Sequence, residues 1–314
     1  MNFHPFRSIA VDRHFPSSRL LAGLLGLATA TGLFAQPPLP AGTLTTAADV
    51  TFIHQFATDL DDGGDFSMSS AGFKFDLVRS LDEGRSIGWG LGYTADSYSF
   101  GGSAGLGNLD PWDTINTLGL SGSYATRLGA DWDLRLSPSI TASGESSASL
   151  GDSLTYGGIF AFIRKFSDTL TLGLGGGVFT GLEDTQGFPL IAVRWEFAPG
   201  WTLQNPLRPG PAGPAGLEVA YATDTWEFGV GAAFRRYRFL LADDSAVPDG
   251  FGEYTSVPLF IRASRPITSN LTLNLYGGVL LGGSIDLENS NGNGVIDSDF
   301  DPAPILALSL SGRF

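Results

Sequence analysis

Large apolar residues alternate with small or polar residues along most of the chain after residue 46. The alternation is clearest in the segments SIGWGLGY (86–93), DWDLRLSPSI (131–140), WEFGVGAAF (226–234) and LTLNLYGG (271–278). Successive side chains of a β-strand point to opposite faces, so a period of two predicts strands. The same region shows no helical period, and the pattern therefore predicts an all-β fold.

The connections between the alternating segments fall into two sets. One set consists of short polar turns, each followed by a large apolar residue that begins the next strand, as in LGADWDL, APGWTL and TSNLTL. The other set is longer and mostly acidic, and it covers 59–65, 99–113, 143–152, 180–187, 206–216, 242–252 and 286–302. Short turns at one end and long loops at the other are typical of a transmembrane β-barrel.

The turns divide the chain into fourteen predicted strands. They lie near 47–57, 66–78, 86–97, 114–127, 132–142, 153–165, 170–179, 188–197, 201–205, 216–222, 225–240, 253–265, 271–285 and 303–314. The pair at 201–205 and 216–222 is short, and the prolines between them prevent its extension. Twelve strands are therefore the alternative prediction.

Alternation alone does not say which face meets lipid. Strands of about ten residues match a tilted crossing of the bilayer, and aromatic residues near strand ends are typical of the lipid interfaces. The other face mixes Gly and Ser with charges of both signs. Together these features predict a single antiparallel up-and-down transmembrane β-barrel with its apolar face outward and its polar face toward a lumen.

The N-terminal segment differs from the rest of the chain. Three arginines precede the apolar stretch LLAGLLGLATATGLFA, and the Pro-rich QPPLP follows it, which is typical of a cleavable signal peptide. We predict a signal peptide at 1–35, a short periplasmic segment at 36–46 and the barrel at 47–314; a retained anchor helix is the alternative. The chain has no cysteine and a net charge of −14, and this acidic balance argues against nucleic-acid binding.

The last strand ends on an aromatic residue. Leu306, Leu308, Leu310 and Phe314 alternate with small and polar residues, and this pattern resembles the C-terminal signal that the barrel-assembly machinery reads in bacterial outer-membrane proteins. Gly312 departs from the pattern, because an aromatic residue is commoner at that place.

The final third of the chain carries a second resemblance. The segments TSVPLFIRAS, LTLNLYGGVLLGG and DFDPAPILALSLSGRF resemble, in that order, the domain-of-unknown-function family 6268 of outer-membrane barrels. The resemblance implies an architecture and an outer-membrane location, with lipid and lipopolysaccharide as neighbours. It implies no activity.

Catalytic chemistry has little support in the sequence. The predicted mature chain has one histidine, His54, which shares the apolar face of the first strand with Phe52 and Phe56. A Ser–His–acid hydrolase would have to use this histidine as its base, and an apolar face is no place for a general base. We therefore expect no enzymatic activity.

One segment is similar to part of a calcium-binding loop. In ENSNGNGVID, the side chains of Asn289, Asn291, Asn293 and Asp297 follow the spacing of EF-hand ligands. Phe300 occupies the place of the usual bidentate Glu. A turn rich in Asn and Gly is the alternative interpretation, and with that exception no cofactor is expected.

The polar face supplies the candidate functional residues. Its charged members are Lys74, Asp76, Arg127, Asp133, Arg135, Arg194, Glu196, Glu218, Glu227, Arg235 and Arg262. Charges of both signs inside a barrel either line a water-filled pore or pair into a plug. The sequence favours a porin-like pore for passive passage of small hydrophilic solutes. The alternative is a structural or adhesive surface barrel that acts through its acidic loops.

Overall fold

A computed structural model describes residues 40–206, 208–213 and 215–314. The strands are β1 (Leu44–Asp59), β2 (Asp65–Asp82), β3 (Arg85–Gly101), β4 (Thr114–Leu128), β5 (Trp132–Glu145), β6 (Leu154–Lys165), β7 (Leu170–Gly181), β8 (Asp184–Ala198), β9 (Trp201–Gln204), β10 (Gly216–Ala222), β11 (Glu227–Ala233), β12 (Arg235–Leu240), β13 (Phe251–Pro266), β14 (Leu271–Glu288), β15 (Gly294–Phe300) and β16 (Ala303–Arg313). One short helix, α1, spans Gly105–Leu109. The predicted signal peptide lies outside the described residues, and none of the described helices could cross a membrane.

These sixteen segments form a closed antiparallel barrel of fourteen strands. The segments β11 and β12 are two parts of one strand, since both pair with β13, and β15 and β16 both pair with β14. The predicted count of fourteen is confirmed, including the short pair β9 and β10. The first strand begins at Leu44, three residues before the predicted boundary of the barrel.

Pairing between β1 and β16 closes the barrel. Val50 lies opposite Leu310 and Phe52 opposite Leu308. At the end of this seam, the Thr46 N–H donates to the Phe314 carbonyl at 2.9 Å and the Phe314 N–H donates to the Thr46 carbonyl at 2.8 Å. A closed sheet leaves no unpaired strand edge at this seam, as the hydrocarbon region of a bilayer requires.

The apolar face points outward, as predicted. Trp89 is 67% exposed, Ile261 66% and Leu306 55%, and such large apolar side chains recur around the barrel exterior. On β14 the predicted alternation is also observed, because Leu275 is exposed while Asn274 is fully buried inside. An apolar outer surface on a closed barrel is the surface that meets lipid, and the protein is therefore an outer-membrane barrel.

Three of the predicted long loops are structured differently. The predicted loop 180–187 is a tight turn, in which Leu182 and Glu183 adopt φ values of 50° and 57° between β7 and β8. Two consecutive left-handed residues are typical of a type I′ hairpin, but the usual Asn-Gly signal is missing here. The predicted loop 286–302 contains the strand β15, and the predicted loop 206–216 folds into the lumen.

Aromatic side chains fill much of the lumen at the long-loop end. Inward residues of β2–β4 and of β12–β16, together with residues of the adjoining connections, form one buried cluster. In it, Trp112 packs edge-on against Tyr98 at 5.8 Å and against Phe239 at 5.0 Å. Tyr254 also joins the cluster, and its hydroxyl donates to Gln55 Oε1 at 2.8 Å. The two walls therefore pack against each other at this end, as in a β-sandwich.

The outward assignment can be tested on adjacent residues of β4. Leu120 is 55% exposed on the outer face, whereas Ser121 points inward and is half-buried. An Arg on the lipid face near the bilayer midplane costs about 2–4 kcal/mol. Leu120→Arg should therefore lower the free energy of unfolding from lipid vesicles by roughly this amount, and Ser121→Arg by much less. Equal losses in urea titrations of the two variants would contradict the assignment.

Candidate functional site

Most of the eleven charged residues that the sequence assigned to the polar face point into the barrel interior, whereas Arg127, Arg194 and Glu196 are exposed near the ends of their strands. Three of them, Glu218, Glu227 and Arg262, form a connected group on β10, β11 and β13. Arg262 donates from Nε to Glu218 Oε1 at 2.7 Å and from Nη2 to Glu227 Oε1 at 2.7 Å. Arg208, which the sequence analysis did not select, donates to both oxygens of Glu227 at 3.1 and 3.2 Å. We call Arg208, Glu218, Glu227 and Arg262 the ionic cluster.

Two members of the ionic cluster are shielded from water, whereas Arg208 and Glu227 are partly exposed. Arg262 is 3% exposed and Glu218 is 1% exposed. Arg262 also donates to Ser264, whose hydroxyl donates to Asn274 Oδ1 at 2.7 Å. Asn274 in turn donates to Ser309 Oγ at 3.0 Å. The cluster thus continues as a hydrogen-bonded chain across β13, β14 and β16, and the charges of Arg262 and Glu218 do not line open water.

The loop between β9 and β10 occupies the lumen beside this chain. The Ser309 hydroxyl donates to the Pro209 carbonyl at 2.7 Å, and Arg235 Nη1 donates to the Pro211 carbonyl at 2.8 Å. Gly210 packs against the ring of Tyr276 so closely that an added Cβ would lie 2.5 Å from a ring carbon. Prolines cannot extend the strand ladder, so this segment leaves the wall and binds to side chains inside the barrel.

The wall formed by β2–β5 is different, because its inward side chains are mostly small. Gly90, Gly92, Ser121, Ser139 and Thr141 line a shallow pocket there together with Lys74. Small residues leave space in front of this wall.

Charged residues of both signs accompany the small ones. Lys74 Nζ lies 3.1 Å from Asp76 Oδ2, and Arg127 Nε lies 3.8 Å from Asp133 Oδ1. The buried Asp49 of β1 lies directly opposite Lys74 in the ladder and was missed by the sequence analysis. The sequence signal for an inward Asp49 was the alternation ADVTF, in which Asp49 falls on the other face of the strand from Val50 and Phe52.

The remaining predicted lining residues lie apart from these groups. Arg135 follows Asp133 on the inward face of β5 and is half-buried. Arg194 and Glu196 are exposed near the short-turn end of β8, and Arg194 Nη1 is 3.4 Å from Gln204 Oε1 on β9. They therefore lie at the short-turn mouth of the lumen.

The inner face is not polar all the way round. On β6, β7 and β8 the inward side chains include Ile159, Ile163, Phe179, Phe188 and Leu190, most of them buried. The rings of Phe179 and Phe188 stack with their centroids 6.1 Å apart. The expectation of a polar inner face is therefore wrong for this wall, where glycines on β7 make room for large apolar neighbours. We call these five residues the apolar strip.

His54 and the asparagine-rich segment lie outside the lumen. His54 is exposed on the outer face, with Nδ1 2.9 Å from Ser69 Oγ and its ring edge-on to Phe56. Asn289 Oδ1 accepts hydrogen bonds from the N–H groups of Asn291 and Asn293 at 3.0 and 3.1 Å, as in an Asx turn. Asp297 lies on β15, opposite Asp286. Within the described ranges, no group of three or more His, Cys, Asp or Glu residues is placed to hold a metal ion.

A family described as domain of unknown function 6268 matches residues 52–310, which is most of the barrel from β1 to β16. The chain belongs to this family. The resemblance that the final third of the sequence carries thus extends over the whole DUF6268 barrel. No curated protein matches the sequence.

Several solved structures are similar to this DUF6268 protein. The COG4313 outer membrane channel from Pseudomonas putida F1 is 15% identical, with 90% of this chain and 99% of that chain covered and a TM-score of 0.48. The P. putida toluene transporter TodX is 11% identical, with coverages of 92% and 93% and a TM-score of 0.42. The KdgM porin is 9% identical, with coverages of 85% and 99% and a TM-score of 0.35. At these identities the likeness concerns the barrel fold alone.

The ionic cluster yields a stability prediction for this DUF6268 barrel. Arg262→Met should lower the free energy of unfolding by about 3–5 kcal/mol, because it leaves Glu218 buried without its cation. The double variant Arg262→Met/Glu218→Leu should recover much of that loss, since replacing both partners removes the unpaired charge. Urea unfolding in lipid vesicles measures both. A double variant as unstable as the single one would contradict the pairing.

Proposed function

We propose that this protein is a narrow outer-membrane channel for passive passage of small hydrophilic solutes. The observation that carries the proposal is the asymmetry of the lumen. The wall formed by β2–β5 presents Gly, Ser and Thr with partly exposed charges, whereas the opposite wall is filled by the ionic cluster and the β9–β10 loop. Water and solutes would follow the first wall.

The side chains and the loop that occupy the lumen limit the size of the solutes that such a path can carry. The aromatic cluster narrows the long-loop end, and the β9–β10 loop narrows the region nearer the short turns. The remaining passage suits ions and small solutes rather than folded polymers. Purified protein in planar bilayers should produce small, steady single-channel conductance steps, and no steps at high protein concentration would contradict the channel.

Lys74 provides a specific test of the path. Its side chain is 20% exposed and stands near Asp49 and Asp76, so Lys74→Gln leaves two carboxylates without that cation. Fixed charge in a narrow pore biases which ion enters, and salt screens it over about 10 Å at 0.1 M. The variant should shift the reversal potential toward cation preference in a dilute salt gradient, and much less in molar salt.

Arg265→Gln is the matched control for this measurement. Arg265 lies on the outer face of β13 near its short-turn end, and its guanidinium carbon is 5.3 Å from the Trp226 ring. Removing this charge should leave the reversal potential unchanged. If Lys74→Gln behaves like the control at low salt, the path does not pass Lys74.

A barrel that does not transport is the second candidate function. The aromatic cluster at the long-loop end favours it, because buried side chains from both walls meet there. In that case the acidic loops outside the bilayer would interact with lipopolysaccharide or with another surface. Silence in planar bilayers together with normal assembly would support this function over the channel.

A further inference from the structure

The barrel wall is incomplete beside β8. The lower part of β8 pairs with β9 from Arg194 to Ala198. Above this part, residues 187–191 pair with β7 on one side, and within the described chain no strand pairs with their other side. The short strands β9 and β10 end too early to cover it. A stretch of strand edge therefore faces an opening in the wall.

This edge is built to remain unpaired. The Asn205 side chain accepts from the Val193 N–H at 2.8 Å and donates to the Ile191 carbonyl at 3.0 Å, and it is buried. Residues 191 and 193 thus direct their backbone groups toward the opening, and the alternation of the ladder directs residue 189 the same way. Residue 189 is a proline, which has no N–H to leave unsatisfied there.

The other side of the opening is formed where β11 gives way to β12. The Phe234 N–H donates to the Ala215 carbonyl at 2.9 Å, which ends the pairing of the lower wall. The strand then continues as β12, and its last residue, Leu240, forms a parallel bridge with Gly144 of β5. The segment has therefore turned into the barrel. The β9–β10 loop forms the floor of the opening.

The apolar strip lies directly inside the opening. Ala215, from the floor, packs against the pair formed by Phe179 and Phe188. On the lipid side of the same two strands, Val178 and Ile191 are 56% and 64% exposed. Apolar surface is thus present on the lumen side and on the lipid side of the β8 edge. Gly187 and Pro189 lie on the edge itself.

Two arginines of β12 bridge the upper part of the opening. Arg236 Nη2 lies 3.7 Å from Asp184 Oδ2, and Arg238 Nε donates to the Leu182 carbonyl at 3.1 Å. Both arginines also lie near Glu253 of β13. These contacts connect the β7–β8 turn to β12 through side chains alone. Side-chain contacts can separate without breaking the ladder of the wall.

We propose that this opening is a lateral portal between the lumen and the bilayer, through which small, uncharged, largely apolar molecules pass. An apolar molecule gains free energy on leaving water for the strip or for lipid, whereas a charged solute would lose its hydration there. The portal is distinct from the polar path along β2–β5. The ion pair between Arg236 and Asp184 lies at the rim of the portal, where it can close the upper part of the opening.

The absence of cysteine from the chain makes a direct test possible. The variant Asp184→Cys/Arg236→Cys can be joined across the opening by a reducible bis-maleimide. The matched control is Thr180→Cys/Thr185→Cys, which joins β7 to β8 at the same height, where the two hydroxyls are 2.7 Å apart. Uptake of N-phenyl-1-naphthylamine by cells that express each variant reports passage of an apolar probe, and the heat-dependent shift of the barrel on gels verifies folding.

Cross-linking 184 to 236 should reduce probe uptake several-fold, and reduction of the cross-linker should restore it. The cross-linked control should take up the probe like the wild type. Uptake that is unchanged by the 184–236 cross-link, or equally reduced by the control, would overturn the portal. Single-channel conductance in planar bilayers should not change with the 184–236 cross-link, so failure of the portal remains distinguishable from failure of the hydrophilic channel.

Discussion

Hydrocarbon offers no partner to a backbone N–H or carbonyl, so every such group within the bilayer must be satisfied by the protein. The closed ladder satisfies most of them, and the β1–β16 seam completes it down to Thr46 and Phe314. The same constraint explains the local chemistry beside β8. Asn205 supplies the hydrogen bonds that a neighbouring strand would have supplied, and Pro189 removes a donor that would have had none. An interrupted wall is therefore compatible with a stable barrel.

The interruption of the wall and the filling of the lumen have one origin. The prolines after Asn205 end β9, and the loop that follows turns inward instead of rising with the wall. Its carbonyls accept hydrogen bonds from Ser309 and Arg235, and Arg208 completes the ionic cluster with Glu227. The charge pairs thus hold the loop in a lumen where its polar groups would otherwise lack partners. One segment accounts for the narrow channel and for the opening beside β8.

The parts that sequence reasoning predicted well are those set by local periodicity. Alternation fixed the strands and their outward faces, and short turns fixed the count of fourteen. The predictions that failed concern features set by contacts between residues far apart in the sequence. The Leu182–Glu183 turn carries no turn signal in its residue types, and β15 adds to the sheet because β14 extends beyond the bilayer to pair with it. The apolar strip was missed because both faces of β6 are apolar, so alternation could not distinguish them.

The candidate site likewise has a part that local periodicity predicts and a part that depends on tertiary contacts. Alternation placed most of the charged residues on the inward face, but the grouping of Arg208, Glu218, Glu227 and Arg262 depends on the path of the β9–β10 loop. Arg208 could not be assigned to the lumen from sequence, since its loop was predicted to lie outside the bilayer. Spacing along the chain gives a strand its faces, whereas the path of a proline-rich connection depends on partners far away in sequence.

The inward position of the β9–β10 loop is the central claim, and a cysteine-labelling comparison tests it most directly. An added side chain has open space at Gly213 in this loop and at Gly294 on β15 at the long-loop end. Intact cells that express Gly213→Cys or Gly294→Cys would be treated with a 5 kDa maleimide-polyethylene glycol, a reagent of about the mass of a small protein domain. The structure predicts that Gly294→Cys is labelled and that Gly213→Cys is protected until the barrel is unfolded. Equal labelling of the two in folded protein would place the loop outside the lumen and contradict the account.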